Sequence, residues 1–183
     1  MKRIRILATV LLVTVALPLG TGVVLAASRQ ELNRDGSQAL KSLLANNEAA
    51  RVLNKKAVAV LVFPNIVKAG FMFGGQLGEG VLFKKGAPSG YYNSVAASYG
   101  LQAGVQKFGY ALFFMNEKAL TYLDSSQGFE VGVGPSIVVV DKGKGKSITS
   151  TTVTQDVYAF IFDQKGLMGG LGVQGSKITK IDK

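Results

Sequence analysis

The sequence predicts an α+β domain: a curled antiparallel β-sheet, closing as a sandwich or partial barrel, with helices at its amino-terminal side and one short helix near residues 116–124. Three observations carry this reading. Apolar residues recur at helical spacing from Ser28 to Leu53. From Ala57 the period becomes two and stays so over seven or eight segments. Glycine, 23 residues in all, gathers on one parity of those segments. Helices segregated from a run of strands are the α+β pattern, and short alternating segments with turn residues between them favour a sandwich or barrel.

The chain is expected to begin with a leader. Lys2, Arg3 and Arg5 form a positive start, Ile6 to Leu19 is an apolar run, and Val24-Leu25-Ala26 offers small residues where a signal peptidase cuts. Residues 1–26 are read as a signal peptide and 27–183 as a single domain. The alternative, a retained anchor over Ile6 to Ala27, is interrupted by Pro18, Gly20 and Gly22. Cleavage leaves 18 basic against 11 acidic residues, a charge of +7. The expected location is periplasmic or secreted, peripheral on a membrane.

Ser28-Arg29-Gln30-Glu31 is a capping box, in which hydroxyl and carboxylate satisfy each other's backbone donors. Leu32, Ala39, Leu40, Leu43 and Leu44 then form a helical stripe, for core packing or for docking on a membrane surface. Asn46-Asn47 ends that helix or caps a second one through Leu53. Ala57 to Phe63 is apolar on both faces, as in a buried strand, and Pro64-Asn65 is expected to end it. Between Gly70 and Phe83 the odd positions are largely apolar and the even ones largely glycine. Ser94 to Lys107 repeats the alternation, and Phe108 to Met115 is strongly apolar. Asn116 caps a helix from Glu117 to Leu123. Phe129 to Val140, Val157 to Asp163 and Leu167 to Ile181 supply the remaining strands. So many glycines on one face call for close approach of a helix or second sheet, for strong curvature, or for a groove.

Composition removes much chemistry. The chain has no Cys and no His, so disulfides, thiolate sites, a cysteine nucleophile and the commonest general base and metal ligand are absent. No two acidic residues lie within three positions of one another after the leader, so no local carboxylate pair or calcium loop is visible. Gly143-Lys144-Gly145-Lys146-Ser147 lacks the first glycine of a phosphate-binding loop, and Gly74 to Gly80 does not fit a dinucleotide fingerprint. The expectation is a non-enzyme with no cofactor, no metal, no nucleotide and no nucleic-acid partner. Glu79, between Leu77 and Val81 on an apolar face, reads as a structural ion-pair partner of a lysine or as the lining of a site.

The positive charge points to an anionic partner. Lysines gather at element ends: Lys55-Lys56, Lys84-Lys85, and Lys142, Lys144 and Lys146 on one basic turn. These seven are the candidate contacts to an anionic phospholipid surface, with the basic turn first. Edge protection and solubility are their other reading.

An ordered set of segments resembles the SYLF-domain family. It comprises Ala57 to Pro64, Lys68-Ala69-Gly70-Phe71, the glycines at 74, 75, 78 and 80, Gly100 to Gln106, Met115 to Leu120, and Lys165 to Gly170. The resemblance spans roughly Leu40 to Ile181. It implies a lipid-binding module, tied in eukaryotic members to phosphoinositide membranes and actin regulation. Tyr91 to Ser94, Gln76-Leu77 with Glu79, and Asp141 to Lys146 depart from the family pattern. The function expected is an exported lipid-binding protein on anionic phospholipid of the cell envelope. The alternatives are an envelope module binding a protein partner and a small outer-membrane barrel, which the helical start and the terminal Lys183 disfavour.

Overall fold

The computed structural model describes residues 27–124, 129–130, 136–140 and 153–183, and of 72, 98–102, 129–130 and 168–176 the backbone alone. The expected leader, residues 1–26, and the basic turn with Lys142, Lys144 and Lys146 lie outside the described residues. Among the described residues there are three helices, α1 (Arg29–Asn46), α2 (Glu48–Asn54) and α3 (Glu117–Asp124). The strands are β1 (Ala59–Lys84), β2 (Ala87–Phe114), β3 (Phe129–Glu130), β4 (Ile137–Val139) and β5 (Val157–Ile181). They form one sheet in the order β1-β2-β5-β3, with β4 also on β5.

The helix ends follow the sequence. Ser28 Oγ accepts from Glu31 N at 3.2 Å while the Glu31 carboxylate accepts from Ser28 N at 2.9 Å, which closes the capping box. These bonds hold the Glu31 carboxyl below its usual range. Asn47 caps α2 by accepting from Ala50 N at 3.0 Å, and Asn116 caps α3 by accepting from Ala119 N at 2.9 Å. The α1 stripe is packing: Leu32 and Leu43 are buried and Leu40 is half-buried. This corrects the membrane-docking reading of that stripe. Gly36, which costs a helix about 1 kcal/mol relative to Ala, is retained because a Cβ there would strike the Val81 side chain.

Seven or eight strands were expected, and the described sheet has five, three of them 26, 28 and 25 residues long. Segments that looked separate are continuous. Pro64-Asn65 does not end β1, because the register steps from Phe63↔Tyr110 to Ile66↔Phe108 and leaves the proline in an irregularity of the ladder. A bulge tolerates the missing N–H. The sheet is also mixed rather than wholly antiparallel: β4 runs parallel to β5, with Ile137 opposite Val157. The 17 residues between them are enough for a parallel crossover connection.

A straight strand of 26 residues would be about 85 Å long, roughly twice the diameter of a chain of this size. The long strands therefore fold over at their middles. In β1 a Cβ at Gly70 would lie 2.5 Å from Gly74 Cα, so the bend is at 70–74. Beyond it the second half returns over the first. A Cβ at Gly78 would meet Ile66 Cγ1 at 2.8 Å, and one at Gly80 would meet the Phe63 ring at 2.6 Å. Opposite the bend, β2 takes four residue steps (Ala103 to Tyr99) where β1 takes two (Phe71 to Phe73). The β2–β5 ladder runs through unbroken from Tyr91↔Ile181 to Lys107↔Lys165. The result is a sheet folded on itself with the glycine parity inside, so close approach is the reason for the glycines.

Two clusters fill the structure. Phe63, Ile66, Leu82, Tyr92, Phe108 and Leu112 lie between the halves, with α3 plugging the space through Leu120 and Leu123. α1 and α2 cover outer-face residues of both halves, Val60 and Val62 on one and Val81 and Phe83 on the other. Three polar ties hold this closed end, the base. Lys183 Nζ lies 2.8 and 2.9 Å from the Glu79 carboxylate oxygens, the ion pair expected from sequence, and Ala27 N donates to the same carboxylate at 3.0 Å. Tyr92 donates to Asp124, and burial followed by that carboxylate pushes the phenol pKa up. Asp156 accepts from Asn116 at 2.8 Å and from Ser136 at 3.1 Å, joining the starts of α3 and β4 to β5 and holding its own carboxyl low.

The two glycine parities should respond differently to a side chain. Gly78→Val must displace Ile66 and should destabilise by about 1–3 kcal/mol, the size of overpacking. Gly75→Val, on the outer face with its nearest atom 4.0 Å away, should change stability little. Denaturant melts of both variants check this, and equal losses would mean the halves do not pack through Gly78.

Candidate functional site

The folded sheet has a closed end and a bent end. The helices cover the outer faces only near the base. Toward the bend both outer faces are bare, and their side chains are apolar. Residues directly opposite on neighbouring strands share a face, so the register shows which side chains stand together. On one half Ala69, Val105 and Leu167 form a row, and Phe71 with Ala103 forms the next row nearer the bend. On the other half Phe73 leads and Leu77 stands beside Val95. Phe71 is 75% exposed, Phe73 69%, Val105 59% and Leu167 88%. Isolated exposed apolar residues are ordinary, but a contiguous set at one end of a molecule marks a contact surface. Gly166 takes φ +88, and a Cβ there would strike the Val105 carbonyl. The strand backbone leading into Leu167 therefore requires glycine at 166.

One row behind this tip the charge changes. Val67, Lys107 and Lys165 stand side by side on the same outer face. Lys107 and Lys165 are two residues from Val105 and Leu167, about 7 Å along the strands. Both are exposed, and among the described residues no carboxylate lies within salt-bridge distance of either. Like charges directly opposite on adjacent strands destabilise a sheet, so this pair opposes folding of the free protein. Lys177, opposite Val95, places a further cation on the other half.

Inside the fold, between the α3 plug and the bend, lies a cleft of about 290 Å³. Lys68, Gln76, Ser94, Gln106 and Gln164 supply its polar lining, and Phe108, Tyr110, Val139, Ile161 and Ile178 its apolar walls. Burial pushes the Tyr110 phenol up to about 12, so it stays neutral. Among the described residues no three His, Cys, Asp or Glu side chains gather to hold a metal ion, and no helix is long and apolar enough to cross a membrane.

The lysines singled out from sequence lie elsewhere. Lys84 and Lys85 stand at the β1–β2 turn, where Lys85 and Gly86 both take positive φ, and Lys55 and Lys56 follow α2. All four are at the base, away from the tip, and Lys142, Lys144 and Lys146 lie outside the described residues. Sequence reasoning missed Phe71, Phe73, Val105, Leu167 and the Lys107–Lys165 pair. Phe71 and Phe73 share parity with the buried Val81 and Phe83, and parity alone does not say how far along a strand a covering helix reaches.

Residues 95–183 match the model of the family described as Ysc84, Las17-binding protein actin regulator. The match takes in most of β2, α3 and β5, with Val105, Lys107, Lys165 and Leu167. No curated protein matches the chain.

Replacing Lys165 by Glu turns a like-charge cross-strand pair into an opposite one. Lys165→Glu should stabilise the free protein by about 0.2–1 kcal/mol, and raising salt should shrink the gain. Denaturant melts at two salt concentrations check this, and a destabilised variant would mean that the two ammonium groups do not face each other.

Proposed function

We propose that this chain, whose residues 95–183 match the Ysc84 family model, is a SYLF-domain protein, exported and non-enzymatic, that docks on anionic phospholipid of the cell envelope by inserting the bent tip of its sheet. The family is related to lipid binding and actin regulation, and the specifics below are this chain's own. The observation that carries the reading is the bare tip of Phe71, Phe73, Val105 and Leu167 with Lys107 and Lys165 one row behind it. An interfacial element buries its apolar part about 5–10 Å into the boundary between headgroups and acyl chains. Along the strands the Val105–Leu167 row lies about 7 Å and the Phe71 row about 14 Å beyond the lysine row, so burying the apolar rows brings the ammonium groups to the headgroup level.

The two parts of the contact contribute differently. A large apolar side chain moved fully out of water is worth about 1.5–3 kcal/mol, independent of salt. Each lysine near an anionic surface adds about 1 kcal/mol, screened beyond a Debye length of about 8 Å at physiological salt. An anionic surface also relieves the Lys107–Lys165 repulsion, so the cost carried by the free protein favours the bound one. Export is supported by the leader and by Ala27. Cleavage after Ala26 turns the Ala27 nitrogen, 3.0 Å from the Glu79 carboxylate, into an ammonium, so processing would convert a neutral hydrogen bond into a charged one.

The test is co-sedimentation of the exported protein, its intact mass first reporting whether the chain starts at Ala27. The expected result is binding to vesicles of phosphatidylglycerol and phosphatidylcholine that weakens as salt rises. Phe71→Ser with Leu167→Ser should reduce binding at least tenfold at every salt concentration. Lys107→Gln with Lys165→Gln should remove most of the salt dependence. Neutralising Lys55, Lys56, Lys84 and Lys85 together should change little. Equal binding to neutral and anionic vesicles, or to neither, would overturn the proposal in favour of a module for a protein partner. Binding lost only in the four-lysine variant would move the contact to the base.

A further inference from the structure

The cleft between the two halves of the sheet has a chemistry that packing alone does not require. Where two sheet faces meet, the interior is normally apolar, and below this cleft it is, through Phe63, Leu82 and Leu112. Toward the bend the same inward parity carries Gln76 and Ser94, 7% and 2% exposed, and Lys68, the one charged side chain among the described lining residues. Lys68 has no carboxylate within salt-bridge distance among the described residues. The apolar walls beside these polar groups are Phe108, Ile178 opposite Ser94, and Ile161, which is 44% exposed at the outer end. A cation and amides lie beside an apolar recess, and the Lys68 end is three residues from Phe71 at the tip.

We propose that this cleft binds one single-chain anionic amphiphile, such as a fatty acid or monoalkyl phosphate, with its headgroup on Lys68 and the start of its chain against Phe108, Ile161 and Ile178. Charge complementarity selects the anion, because an ammonium inside a partly apolar cleft gains most from a charge-assisted hydrogen bond. Volume selects the single chain. The 290 Å³ available is just under the roughly 300–1,000 Å³ range of small-molecule sites, room for one alkyl chain within the cleft. Close packing bounds the ligand: Gly78 on Ile66 closes the space on the β1 side, level with Ser94, and Gly80 on Phe63 closes it below. The site is distinct from the tip, and binding there needs no bilayer, so it can be tested independently of membrane docking.

The experiment is titration calorimetry with native mass spectrometry on the full chain, without vesicles, using dodecanoate, dodecyl phosphate, dodecanol and dodecyltrimethylammonium below their micelle concentrations. The expected result is one saturable dodecanoate or dodecyl phosphate per chain, the stronger of the two identifying the headgroup. Dodecanol should bind at least tenfold more weakly and the cationic amphiphile not at all. Lys68→Gln, at a half-buried position outside both core clusters, should keep the melting profile of the parent and lose at least tenfold in affinity for the anions. Ile161→Trp, at the exposed end of the wall, should reduce binding of all chains by filling the recess. Non-saturable uptake of several molecules, equal binding of the cationic amphiphile, or unchanged affinity in a folded Lys68→Gln would overturn the proposal. Failure of the tip variants in sedimentation would leave it standing.

Discussion

Two halves of one sheet can lie against each other only where facing strands leave room for backbone. In this chain that room comes from the missing side chains of Gly78 and Gly80, which rest on Ile66 and Phe63. Everything else follows from that contact. Because the glycine parity faces inward, the apolar parity of the same segment must face outward. Because α1 and α2 reach only the base, Val81 and Phe83 are covered while Phe71 and Phe73 are not. The tip is therefore a consequence of how the core is built, and one alternating segment serves both packing and contact.

The charges divide along the same axis. At the base, carboxylates are paired or tied: Glu79 with Lys183, Asp124 with Lys180 and Tyr92, Asp156 with Asn116 and Ser136. These ties hold the chain ends and the starts of elements against the sheet. Near the tip Lys107 and Lys165 face each other across a ladder, with no carboxylate within salt-bridge distance among the described residues. A fold selected for stability alone would place opposite charges there. The base holds the fold closed, and the bent end carries an unneutralised potential that an anionic surface can satisfy.

Much of this architecture was legible in the sequence. Both helix starts, the division into helices and then strands, the Asn116 cap, the Glu79 ion pair and the close approach at the glycines follow from local chemistry and periodicity. Strand count did not, because Pro64 and the bends look like ends when the ladder of the neighbouring strand is unknown. The parallel pairing of β4 was hidden for the same reason: direction is set by a partner distant in sequence. The residues of the bare tip were only half legible. Phe71 and Phe73 stood out as apolar, but parity assigns a face and not a cover. Lys107 and Lys165 are 58 positions apart, and nothing local makes them neighbours. Clustering in sequence drew attention instead to Lys55-Lys56 and Lys84-Lys85, which the fold carries to the other end.

The central claim is that the bent end, and not the base, enters the membrane. The chain contains no tryptophan, so a single introduced indole reports its own depth without background. The direct measurement is fluorescence of Leu167→Trp and Lys85→Trp on anionic vesicles carrying a quencher in the acyl region. The account predicts a blue shift and strong quenching for Trp at 167 and neither for Trp at 85. Quenching at 85 with an unchanged spectrum at 167 would contradict it.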